Sequence, residues 1–152
     1  MDLDLLLRFL HVLVGVLTFG GLLSAWLWSL SLTGQKRGDG LGQLRFWARH
    51  GPIMGQLGLA VPLSGLILVF TKYGGSFRGW VWLSIVLFLV YQIVAVAVVG
   101  RTGTRLLKAL EAAAPGEGFA DVRGAVGQVQ LGYGVMLLAT IGSVFLMVYQ
   151  PF

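Results

Sequence analysis

The chain has 152 residues, 57% of them hydrophobic and 11% charged, with no cysteine and a formal net charge of +5. Soluble domains carry about 25% charged residues, so an ordinary soluble domain and a disordered chain are both excluded, as are disulfides, thiolate metal sites and iron–sulfur clusters. A mean hydropathy of +0.84 points to a membrane protein, and the length points to one domain over residues 1–152.

A hydrocarbon core about 30 Å thick needs about 20 apolar residues of helix. The first apolar stretch, about 5–32, exceeds that length. It follows Met1-Asp2-Leu3-Asp4, acidic where a signal peptide is basic, and is too long for one, so it is expected to be a retained helix. Helical spacing sets Arg8, His11, Gly15, Thr18, Ala25 and Ser29 along one small and polar stripe. Such a stripe is expected to face the interior of a bundle. The segment GQKRGDGLG, Gly34 to Gly42, reads as a flexible turn.

The second stretch, about 53–70, is near the short limit and carries Pro62, where a kink is expected. The third covers about 80–99. Beyond it, Arg105-Leu106-Leu107-Lys108-Ala109-Leu110-Glu111 continues a helical pattern, which Pro115-Gly116 breaks. Residues from Phe119 to Gln130 are expected to form a helix leading into the fourth stretch, about 131–149. That last span presents Tyr133, Met136, Thr140, Ser143, Met147 and Gln150 on one stripe. All four runs are continuous, without the alternation of barrel strands. The expected fold is all-α, an integral membrane four-helix up-down bundle.

Aromatic residues mark the interfaces. Trp26, Trp28 and Trp47 bracket the first connection, Tyr73, Trp80 and Trp82 the second, and Tyr149 closes the fourth span. Lys36, Arg37, Arg45, Arg49, Arg101, Arg105, Lys108 and Arg123 fall on one side, against Arg8, Lys72 and Arg78 on the other. By the positive-inside rule the first and third connections are expected in the cytoplasm and both termini outside it. The basicity thus sets topology, and no nucleic-acid partner is expected.

Ionisable residues at membrane depth are functional candidates by default. His11 lies about two turns into the first span, with Arg8 one turn before it. A structural reading has His11 bonded to a carbonyl or hydroxyl of a neighbouring helix, with Thr140 and Ser143 as possible hydroxyl partners. A cofactor reading has it ligating a metal or haem iron, with Arg8 pairing a haem propionate. His50 lies at the opposite end of the membrane, roughly 25–30 Å away at 1.5 Å per residue. The two histidines therefore do not form a bis-histidine pair within one chain. Met147 is the other outer-end residue with a typical ligand atom, and His/Met ligation occurs in cytochromes. No intramembrane carboxylate, phosphate loop or nucleophile elbow is present, so no catalytic constellation is recognisable.

Three segments carry a resemblance: Arg8-Phe9-Leu10-His11-Val12-Leu13 with Phe19-Gly20-Gly21-Leu22, Pro62-Leu63-Ser64-Gly65-Leu66, and Phe145-Leu146-Met147-Val148-Tyr149-Gln150-Pro151. Together they resemble a bacterial family of predicted four-span membrane proteins of unknown function. That family looks distantly similar to the membrane domain of CopD-type copper-resistance proteins and to the haem-containing HemJ-type protoporphyrinogen oxidase. In the oxidase a first-span histidine is implicated in haem binding, and His11 is the matching position. The resemblance thus implies haem b at His11. The competing expectation is an accessory subunit, packed through its small-residue stripes against other membrane subunits or a second copy. A small transporter component is a third.

Overall fold

The computed structural model describes residues 3–32, 37–75, 77–112 and 123–151. They form α1 (Leu3–Ser31), α2 (Arg37–Tyr73), α3 (Gly79–Val94), a π-helical turn (Ala95–Gly100), α4 (Arg101–Ala112) and α5 (Arg123–Tyr149). Three helical stretches are long and apolar enough to cross a membrane: α1, the continuous helix Gly79–Ala112, and α5. The fourth apolar stretch, Gly58–Lys72, is shorter and lies inside α2. The fold is an all-α membrane bundle, as expected. Pro115-Gly116 and residues 119–122 of the expected lead-in helix lie outside the described residues.

The helices alternate in direction. Near the start of α1, His11 meets Ser64 late in α2; near its end, Trp28 stacks on Trp47, early in α2, with ring centroids 6.2 Å apart. The two helices are therefore antiparallel. Likewise α5 runs antiparallel to α1, through the Gln130–Ser29 hydrogen bond and the packing of Leu22 with Met136 and Leu137. It also runs antiparallel to α3, where Trp80 and Val81 meet Leu146.

The core has three tiers. At the end holding both termini, Val69, Trp80, Val81 and Leu146 cluster. In the middle, Leu22, Met136 and Leu137 pack with Tyr91 and Tyr133. At the basic end, Leu32, Leu44, Leu106, Leu110 and Val126 form the third cluster. Outside this thin core the surface is apolar: Leu131, Leu138 and Val148 are each 70% exposed or more. Such a surface suits lipid, in which only backbone bonded within the helix is tolerated.

The expected turn from Gly34 to Gly42 is corrected in its second half. Residues 34–36 lie outside the described residues, but α2 is already helical from Arg37. The reason is packing: Leu41 and Leu44, three apart on one face, join the basic-end cluster against Leu106 and Leu110. Burial there outweighs the low helix propensity of three glycines, at about 1 kcal/mol each.

The π turn also escapes sequence reading. Within it the Arg101 N–H reaches the Val96 carbonyl, five residues back. The wider turn lets Val94, Val98 and Val99 all face Gly132 of α5. Beyond it α4 buries Thr102, Leu106 and Leu110, so the helical pattern at Arg105–Glu111 is borne out. Arg45 of α2 pairs with Glu111 of α4 at 3.0 Å, bringing the two basic connections to one end. Both side chains are largely exposed, with 59% and 42% accessible. Arg45→Gln is therefore expected to change unfolding free energy by no more than about 1 kcal/mol, measured by denaturant titration in micelles.

Candidate functional site around His11

His11 sits eight residues into α1 from Leu3, about 12 Å along the axis. Its side chain faces α2 and is half-buried. Nδ1 lies 2.8 Å from the Ser64 hydroxyl. The Ser64 hydroxyl in turn reaches the carbonyls of Ala60 at 2.7 Å and Val61 at 2.9 Å.

These contacts decide the tautomer. Ser64 has one hydroxyl proton and lone pairs to spare. Inside a helix that proton goes to the carbonyl three or four residues back, leaving the oxygen to accept. We therefore assign the imidazole proton to Nδ1, which donates to Ser64. Nε2 is then the acceptor nitrogen, the form in which an imidazole ligates a metal.

Gly65 makes the approach possible. A Cβ there would stand 3.2 Å from His11 Cε1, closer than a side chain ordinarily comes. The Ser64-Gly65 pair thus supplies an anchor for one nitrogen and room for the ring. Ser64→Ala is expected to destabilise the α1–α2 contact by about 0.6 kcal/mol, the average for interhelical hydrogen bonds in a membrane. Unfolding of wild type and variant in mixed micelles measures it.

The other expected site residues lie elsewhere. Arg8 pairs with Asp4, one turn back on α1, and both are substantially exposed. Met147 packs against the cluster of Val69, Trp80, Val81 and Leu146. None of the described contacts brings Met147 to His11. The expected hydroxyl partners are replaced: Thr140 bonds the Met136 carbonyl and Ser143 the Ala139 carbonyl, both within α5. At the depth of His11, α1 meets α2, whereas the described contacts of α1 with α5 involve Leu22 and Ser29, nearer its other end. His50 bonds the Phe46 carbonyl at 2.8 Å and stacks on the Phe46 ring. It lies 14 residues before Ser64 on α2, about 21 Å along that helix, so the two histidines are far apart, as expected.

One turn outward from His11 a shallow cleft of about 440 Å³ is lined by Leu3, Asp4, Leu7, Thr71 and Lys72. Lys72, counted with Arg8 among the outer-end cations of the sequence, is the basic residue that lines this cleft. Among the described residues no group of three or more His, Asp or Glu could hold a metal ion.

The fit to haem b can be judged on these donors. His11 would be the residue to hold it, its other nitrogen being fixed by a hydrogen-bonded partner, as in metal-ligating histidines generally. Among the described residues no second such ligand is brought to the imidazole.

The chain belongs to a family described as predicted integral membrane proteins, DUF2269, whose model matches residues 5–151. No curated protein and no solved structure matches it.

Proposed function

We propose that this membrane protein binds a haem b, which His11 would hold. The observation that carries the reading is the hydrogen-bonded run from His11 Nδ1 through Ser64 to the Ala60 and Val61 carbonyls. A half-buried imidazole so anchored keeps its orientation and presents Nε2 as a donor pair. Bound haem would supply one-electron chemistry, tuned by its axial ligand and by burial. Within this chain, His11 would bind, Ser64 and Gly65 would orient it, and Lys72 adds positive charge at the outer end, where propionates are favoured. Titration of haem into detergent-purified protein tests the reading. A Soret change saturating near one haem per chain is expected, and a change that never saturates rejects it.

A second reading, that of an accessory subunit, is favoured by the unused glycines. Gly15 and Gly20 of α1 and Gly51 and Gly55 of α2 meet nothing within 4 Å of where a Cβ would stand. Small residues of this kind permit close approach of another helix. Recovery of a larger complex in mild detergent, lost on Gly55→Leu, supports this role; migration as a monomer with no partner argues against it. In either reading the basic end faces the cytoplasm of a bacterial inner membrane, so a C-terminal alkaline phosphatase fusion is expected to be active.

A further inference from the structure

A groove of about 650 Å³ runs between α1 and α5, within the range of about 300–1,000 Å³ that holds small ligands. Its floor on α5 exists because two side chains are absent. A Cβ at Gly127 would meet nothing within 4 Å, and one at Gly134 would meet only Trp26 Nε1, at 3.8 Å. Its walls are apolar: Phe19 and Leu23 from α1, Leu138 and Ile141 from α5.

The groove has a polar end. Gln130 lines it there, its amide held by donation to the Ser29 carbonyl at 2.7 Å, while the Trp26 indole nitrogen lies about one turn deeper, against Gly134. One turn beyond Gly127, four residues back on the same helical face, stands the exposed Arg123. Arg49, Arg101, Arg105 and Lys108 are also exposed at this end. Among residues with described side chains there, the acid is Glu111, already paired with Arg45.

Depth selects the occupant. The apolar part on α5, from Leu131 to Ile141, is about 15 Å long. That is half of a hydrocarbon core of about 30 Å, or one leaflet. A partner's transmembrane helix would need contact across both leaflets, whereas a lipid acyl chain needs one. The order along the groove, cations, then the Gln130 amide, then a mainly hydrocarbon lining, is the order of groups in an anionic phospholipid. Each basic residue at such a surface attracts anionic headgroups.

We propose that this groove is a binding site for one anionic phospholipid of the leaflet at the basic end. Its acyl chain lies over Gly134 and the Trp26 ring, its ester region against Gln130, and its phosphate at Arg123. The proposal does not depend on His11. Native mass spectrometry tests it, with protein in mild detergent and equal phosphatidylglycerol and phosphatidylcholine supplied. One retained phosphatidylglycerol is expected. Leu138→Trp and Leu131→Trp each fill the groove from positions that are 71% and 70% exposed, so the bundle is spared and the adduct is lost. Arg123→Gln is expected to lower the preference for phosphatidylglycerol about fivefold. Equal retention of the two lipids by wild type overturns the proposal. So does an adduct unchanged in both tryptophan variants, or a lipid-free dimer joined through α1 and α5.

Discussion

Replacing Gly132 with leucine is expected to unseat α5 from the α3–α4 helix. A Cβ at this position would stand 2.7 Å from Val99 Cγ2 and 3.3 Å from Val98 Cγ1, so even alanine requires a shift. The valines have little freedom, since branching at Cβ holds χ1 near one value in a helix, and the π turn fixes both on this side. Overpacking costs about 1–3 kcal/mol and more where backbones must separate, and here leucine adds three further carbons. Gly15→Leu is the comparison. A Cβ there meets nothing within 4 Å, and its cost is expected to stay within about 0.5 kcal/mol. Unfolding midpoints in mixed micelles should separate the two variants widely; equal midpoints would mean that the Gly132 contact does not hold the helices.

Gly65→Leu should have the second-largest effect. The imidazole edge occupies the space of its side chain, so the ring must leave Ser64. The loss combines overpacking of about 1–3 kcal/mol with the hydrogen bond, worth about 0.6 kcal/mol in a membrane. Ser64→Ala loses the bond without the crowding. Gly65→Leu should therefore be the less stable of the two by at least about 1 kcal/mol in the same unfolding assay.

The four apolar segments were legible because bilayer thickness sets a length that charged residues cut off sharply. Arg8, Lys72, Arg78 and Arg101 stand close to the expected span limits. The shared end of the two basic connections was legible for the same reason. The start of α2 was not, because its helicity comes from Leu41 and Leu44 packing on residues more than 60 positions later. The π turn at Ala95–Gly100 was hidden too, as its sequence, AVAVVG, would fit an ordinary helix.

The partner of His11 was missed for a different reason. Ser64 stands in the Pro62–Leu66 motif of the second span, whereas the expected hydroxyls, Thr140 and Ser143, lie on α5. Hairpin register could have found it. The pairs His11–Ser64 and Trp28–Trp47 are both placed symmetrically about the same turn. Interfacial tryptophans on either side of a short connection therefore fix the depth at which every later pair meets. Arg8 was read as a cation awaiting an anionic ligand, yet Asp4 lies four residues before it, a spacing that favours a pair on one helix.

The most direct test of the His11 assignment is an absorption spectrum of wild type and His11→Ala, each purified after expression with ample haem, before and after imidazole is added. Wild type is expected to show a Soret band near one haem per chain. The variant should lose the band and regain it with free imidazole, which takes the place of the missing side chain. A wild type without Soret absorption, or a variant whose band is unchanged, would make His11 a structural residue that ties α1 to α2.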